Sequence, residues 1–199
     1  MKLPEAVSIR EITKETAQEM VERFHYSHIL GPCSYSLGIY YKQAHPFFEE
    51  HEELVGCLTY GAPIGRLSVK SISEKLEAYQ SLELTRLFIH DGYEKNIESF
   101  SIAQSFHWIR QNLPDVEVLL SYSDPEYGHR GVIYQATNWK FQGTGFSIMP
   151  KYQLSLTKDP YEWMHHRTIY DVYGSVGIDD LKKTIGKTFW LKTTTDKYR

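Results

Sequence analysis

The chain has 199 residues, the length of one domain and enough to bury a core. Hydrophobic residues at 41% and charged residues at 24% are ordinary for a soluble globular protein; no apolar run approaches the roughly 18 residues of a membrane span, and the charged start MKLPEAVSIREIT argues against a secretion signal. The net charge of -3 does not fit a chain that binds nucleic acid through an overall basic surface.

VSIREIT (7–13) alternates apolar residues and reads as a first strand, and KETAQEMVERFHYSH (14–28) reads as a helix with Thr13 as its N-cap. ILGPCSY is a loop on its Gly-Pro. YSLGIYYK (35–42) and ELVGCLTYG (53–61) read as two strands pairing across the acidic loop FFEEHEE (47–53). Cys33 and Cys57 form no CxxC pair and read as reduced thiols. GAPIGRLSVKSISEKLEAYQS is a loop with a short helix. LELTRLFIH (82–90) is a strand, NIESFSIAQSFHWIRQNL (96–113) a helix stopped by Pro114, VEVLLSYSD (116–124) an apolar strand, and HRGVIYQATNW (129–139) a short helix. This stretch predicts parallel neighbours joined by a crossing helix. FQGTGFSI and KYQLSLT read as a closing hairpin around Met149 and Pro150, followed by an irregular appendage with a helix near 179–184.

The strand and helix order matches that of the GNAT acyltransferase fold. The expected architecture is therefore α/β (α+β): one GNAT-like mixed sheet flanked by helices over residues 1–158, with an extension over 159–199. From residue 182 onward, Lys182, Lys183, Lys187, Lys192, Lys197 and Arg199 stand against Asp196 alone. Such a tail on an acidic body is either a DNA contact or a solvated terminus. The 15 Tyr, 9 Phe and 4 Trp supply stacking faces suited to bases, or simply an aromatic core.

The densest polar cluster, SYSDPEYGHRGVIYQATNW (121–139), begins at the carboxyl end of a buried strand, where ligands bind in open α/β sheets. Ser121, Ser123, Asp124, Tyr127, His129 and Tyr134 bring hydroxyls, a carboxylate and an imidazole together in sequence. Asp124 can orient a group or act as base, His129 can titrate near neutrality, and Tyr134 can donate a proton; alternatively Asp124 caps the turn at Pro125 and His129 opens the helix. Arg86 interrupts an apolar strand and needs a partner there: Glu83 or Asp124 structurally, or a substrate carboxylate or phosphate. HYSH (25–28) sets two histidines on one helical face, a conceivable metal pair that lacks a third ligand in sequence; no metal site is assigned. The HDGYEKNIES junction before the 96–113 helix has one glycine and no Q/RxxGxG/A motif, which argues against coenzyme A held in the usual way on backbone amides, though Asn96 and Ser99 remain as donors.

The runs SLELTRLFI (81–89), NIESFSIAQSFHWI (96–109) and SYSDPEYGHRGVIYQATNWKFQG (121–143) resemble the Mom family. HYSH, TYGAP (59–63) and HHRTIYDVYGS…LKK…KYR are similar to that family's flanking segments. The resemblance implies a phage-encoded, GNAT-related transferase in the cytoplasm of an infected bacterium. It implies transfer of a carbamoylmethyl-type group to a DNA base, adenine N6 by default, which protects phage DNA from restriction. It further implies a site of Arg86, Ser121, Ser123, Asp124, His129 and Tyr134, with Tyr60, Gly61 and Ser99 lining the pocket. DNA and a small-molecule group donor are the implied partners; the local excess of lysine, apart from the resemblance, makes Lys182, Lys183 and Lys187 the expected DNA contacts; the donor, any metal and the oligomeric state are not readable. Two other readings fit the sequence: an N-acyltransferase acting on a small-molecule or protein amine, and a non-enzymatic DNA-binding module, which leaves the 121–134 cluster without a task.

Overall fold

The structure, a computed structural model, describes residues 2–43, 51–64, 68–144, 151–157, 162–194 and 197. The chain divides into two compact units: residues up to 122 together with 131–140, and residues 123–130 together with 141 onward.

In the first unit, strands β1 (Val7–Glu11), β2 (Tyr35–Gln43), β3 (His51–Gly61), β4 (Ser81–Ile89) and β5 (Val118–Ser121) form one sheet in the order β1-β2-β3-β4-β5. The first three pairings are antiparallel and β4–β5 is parallel, as expected for two strands joined through a crossing helix. Helices α1 (Leu3–Ala6), α2 (Lys14–Phe24), α3 (Ile97–Asn112) and α4 (Val132–Ala136) complete this unit. Thr13 caps α2 by accepting the Thr16 N–H. The helix ends at Phe24 rather than running on to residue 28, because His25 turns extended and its ring accepts the Ser27 N–H; side chain competes with helix for the backbone donor there.

The sheet is covered on both faces. Leu37, Ile39, Leu58, Tyr60, Leu82 and Leu84 pack against Ile97, Ile102 and Ile109 of α3, and Cys57 and Phe88 pack with Ala17, Met20 and Val21 of α2. Each such fully buried Leu or Ile contributes roughly 1.5–3 kcal/mol. Simple alternation along β4 would place Arg86 with Leu82 and Leu84 on the α3 face. Instead Thr59 pairs with Arg86 and Tyr60 with Leu84, so Thr85 has no partner of its own. This bulge resets the alternation: Leu87 and Ile89 return to the α3 face, and Glu83, Thr85 and Arg86 share the α2 face.

The second unit has an antiparallel pair, β6 (Tyr152–Ser155) with β7 (Trp190–Thr193), and helices α5 (His166–Tyr173) and α6 (Ile178–Ile185). Leu154, Ile169 and Leu181 are its fully buried core. The helix near 179–184 stands as expected, while α5 and β7 replace the irregular appendage. β6 pairs with β7, a strand not expected from the sequence, and the other arm of the expected hairpin, FQGTGFSI, runs into residues 145–150, which lie outside the described residues. Residues 44–50 of the acidic loop, and 195, 196, 198 and 199 of the tail, also lie outside them. No described helix is long and apolar enough to cross a membrane.

Candidate active site

The parallel pair β4–β5 ends at Leu84 opposite Ser121. The Ser121 hydroxyl lies 3.1 Å from the Leu84 carbonyl oxygen and 2.7 Å from the Tyr134 hydroxyl. It has one proton for two acceptors, so when it donates to Leu84 it accepts from Tyr134, and the pair can exchange roles. Tyr134 reaches this point because Gly131, in the left-handed region at φ 69°, turns the chain into α4, and because Trp139 meets its ring edge-on with centroids 5.3 Å apart. Burial raises the phenol's pKa; the Ser121 bond works against that rise and the Glu83 charge adds to it. Tyr134 is therefore a neutral hydroxyl at physiological pH, able to donate.

Arg86 sits at the bulge. Its Nε donates to the Ile29 carbonyl at 2.7 Å and its Nη1 to the Thr85 carbonyl at 2.5 Å. Gly31, at φ 74°, leaves the guanidinium room: a Cβ there would stand 3.4 Å from Nη2. Nearby, a Cβ on Gly61 would lie 2.4 Å from the Pro32 carbonyl, and the Ser34 N–H donates to the Tyr60 carbonyl at 2.7 Å. The 29–34 loop is thus seated on the bulge and fixes Arg86 by its backbone. Neither structural partner expected from the sequence forms an ion pair with Arg86, and its Nη2 has no acceptor among the described residues. Burial lowers the guanidinium's pKa, while Tyr26 and Glu83 act in the opposite sense.

Other expected pocket groups in this unit are engaged inward. Tyr60 is fully buried and its hydroxyl is 2.6 Å from Ser105 Oγ, which donates to the Ile102 carbonyl; burial raises its pKa well above the usual phenol range. The Ser99 hydroxyl donates to the Asn96 carbonyl, and Asn96 caps α3 in the left-handed region at φ 72° without a side-chain bond. A shallow open cleft of about 220 Å³ runs along residues 89–98 beside them. In HYSH, the His25 ring accepts the Ser27 N–H through Nδ1, and His28 Nδ1 donates to the Glu22 carbonyl. No three His, Cys, Asp or Glu side chains gather in metal-binding geometry among the described residues.

Ser123, Asp124 and His129 belong to the second unit. Asp124 caps the turn Pro125–Tyr127 by accepting the Glu126 N–H on Oδ1 at 3.1 Å, and its Oδ2 pairs with Lys197 at 3.2 Å. The capping alternative is therefore realised. His129 does not open α4: it is exposed, its N–H donates to the Asp124 carbonyl, and its carbonyl accepts from the Ser123 hydroxyl at 2.8 Å. Glu126 pairs with Lys192 at 2.5 Å and holds that ammonium's pKa up. Lys182 pairs with Asp179 at 3.6 Å, and Lys183 and Lys187 are exposed.

From the sequence, Glu83 is only a possible partner for Arg86. It is buried, 6% exposed, and its Oε2 accepts the Ile64 N–H at 2.9 Å. The signal available in the sequence was an acid three residues before Arg86 in an otherwise apolar strand; the bulge that puts both on one face was not visible there.

Residues 6–199 match the model of the Mom protein family. Over 154 residues the chain is 30% identical to the methylcarbamoylase Mom of Escherichia phage Mu, covering 77% of this chain and 57% of that protein. The chain thus spans little more than half the length of this relative. The family match takes in the whole of β4, the 121–139 cluster and the lysine-rich C-terminal segment, and on it the chain belongs to the Mom protein family.

Proposed function

We propose that this chain is a phage-type DNA-modification enzyme that transfers a small carbamoylmethyl-type group to a nucleobase amine, adenine N6 by default, and so shields DNA from restriction. The observation that carries this reading is the family match over residues 6–199, and the name of the phage Mu relative, a methylcarbamoylase, supports the class of group. The antiparallel strands leading into a parallel β4–β5 pair, with helices on both faces, support a GNAT-like catalytic part over residues 1–158, and the lysines of the 159–199 extension suit phosphate.

In this reading the target base leaves the stack, since a paired amine is out of reach inside a duplex. The exposed rings of Phe24 (48%) and Tyr26 (42%) offer it flat surface. Arg86 and the strand-end hydroxyls steady charge that develops during transfer. The amine hydrogen leaves as a proton, taken up directly or through water by a carboxylate such as Asp124, and the neutral Tyr134 hydroxyl serves as a hydrogen-bond donor. The group donor is a small molecule whose bond to the transferred group breaks as the new bond to the amine nitrogen forms, its remainder leaving with the bonding electrons, and the single-glycine β4–α3 junction disfavours coenzyme A as its carrier. Lys182, Lys183 and Lys187 contact the DNA backbone. Mass spectrometry of nucleosides from DNA of bacteria expressing the chain tests the reading. A thermal shift with acetyl-CoA and none with DNA would instead favour an acyltransferase acting on other amines.

A further inference from the structure

The second unit carries two eight-residue helices, α5 and α6, separated only by residues 174–177, of which two are glycines. Two helices joined by a turn of about three or four residues that contains glycine form a helix-turn-helix. Hydrogen bonds set this turn. Gly174 ends α5 in the left-handed region at φ 70°, and its N–H donates to the Tyr170 carbonyl at 2.7 Å. The Ser175 hydroxyl accepts the Gly177 N–H at 3.0 Å and donates to Asp180 Oδ2 at 3.1 Å, which ties the turn to the start of α6. From β6, the Tyr152 hydroxyl donates to the Val176 carbonyl. Leu154 of β6, Ile169 of α5 and Leu181 of α6 meet as a fully buried core, and β6 pairs with β7 beyond α6. Strand, helix, turn, helix and strand thus form one packed module.

We propose that β6–α5–α6–β7 is a helix-turn-helix module that reads duplex DNA, with α6 in the major groove, Asp179 at a base edge and Lys182, Lys183 and Lys187 on the flanking phosphates. α6 buries Leu181 and exposes Asp179, Asp180, Lys182, Lys183 and Thr184. Asp180 is taken up by the turn. Asp179 and Lys183 are one helical turn apart, on the face opposite Leu181, and Lys182 pairs with Asp179 at 3.6 Å beside them. The first turn of a recognition helix is the part that meets bases, and there an aspartate accepts from the cytosine amine. Residues 181–194 hold four lysines and no acid, a charge that complements the two phosphate backbones bordering the groove. The proposal rests on the DNA reading above and adds the element by which sequence is recognised.

The test uses the full chain, a pool of randomised DNA duplexes and no group donor. The wild type should enrich duplexes with cytosine at one fixed position and bind them about tenfold more tightly than duplexes changed at that position. Asp179→Asn, whose amide suits adenine N6 and N7, should move the preference to adenine, and Asp179→Ala should abolish it. Lys183→Gln should instead weaken all duplexes alike and make the salt slope shallower by about 0.9. No preference in the wild type, or a preference unmoved in folded Asp179→Asn and Asp179→Ala, overturns the proposal. Should neither variant fold, the wild type decides alone: a bulky group on C5 of the preferred cytosine, which projects into the major groove, should remove the discrimination, and its persistence overturns the proposal. Base preference set by α6 without any modified nucleoside in cells counts against the functional reading alone. Modified nucleoside with a preference indifferent to Asp179 counts against the module alone.

Discussion

The Ser121 hydroxyl is 2.7 Å from the Tyr134 hydroxyl, tying the last residue of β5 to the middle of α4. This bond makes the phenol part of the strand end. Ser121 is itself anchored on the Leu84 carbonyl at 3.1 Å, so the position of Tyr134 is set by the β4–β5 register.

Tyr134→Phe should separate chemistry from packing. The ring still packs on Trp139, and Ser121 still has the Leu84 carbonyl. Stability should fall by about 1 kcal/mol, the net worth of one hydrogen bond, while modified nucleoside falls by about 10²-fold or more if the hydroxyl handles a proton. Denaturant titration and nucleoside analysis check the two together; full yield from the variant removes Tyr134 from the chemistry.

Asp124→Asn retains an oxygen to cap the Pro125–Tyr127 turn but loses the charge facing Lys197. That ion pair involves a lysine side chain that is 56% exposed, so its loss should cost no more than about 1 kcal/mol. A proton acceptor at Asp124 predicts product down about 10²–10⁴-fold with folding intact. Wild-type yield from the folded variant would leave Asp124 as the turn cap alone. Lys197→Met is the control: it removes the same ion pair and keeps the carboxylate.

Much of the first unit was legible in the sequence because its signals are local. LELTRLFIH and VEVLLSYSD show strand patterning, and the helix between them carries apolar residues at helical spacing up to Pro114. The Thr85 bulge was not legible: the adjacent polar pair Thr85 and Arg86 breaks the alternation of LELTRLFIH, but only the β3 register identifies that break as a bulge. Glu83 reads only as a possible partner for Arg86, because a polar residue between two leucines is what a half-exposed strand looks like. The cap by Asp124 could be read from Asp-Pro, whereas its pairing with Lys197 joins residues far apart in the chain. β7 was missed because its burial pattern is mostly exposed and it gains strand structure by pairing with β6.

The lysines of the second unit predict a salt-dependent affinity. Reversing Lys182, Lys183 and Lys187 to glutamate should weaken binding to duplex DNA. The slope of log affinity against log salt should become shallower by about 0.9 for each phosphate that is no longer neutralised. These side chains lie on or just after α6, away from its Leu181 core position, so the fold should persist. An unchanged slope would make the segment a solvated surface.

Burial pushes the Cys57 thiol up to about 12 from an ordinary 9.0. The unfolded chain loses that proton from about pH 9 upward and the folded chain only near 12, so this group's contribution to stability falls as pH rises through that window and is constant below it. Wild type should therefore lose more stability than Cys57→Ala between about pH 9 and 11, measured as urea midpoints. In the native protein at about pH 8, iodoacetamide should modify Cys33 and spare Cys57; rapid modification of both would contradict the buried, neutral thiol.

The proposed alteration of bases in DNA is tested by the mass of every nucleoside released from DNA of bacteria that accumulate the folded protein. The expected result is one new nucleoside, a deoxyadenosine derivative in which a carbamoylmethyl-type group replaces one amine hydrogen, present with the wild type and depleted with Tyr134→Phe. Phage-infected cell extract, added to purified protein and DNA, supplies any donor that is made only during infection. Only unmodified nucleosides under both conditions, from protein shown to be folded, would contradict the claim.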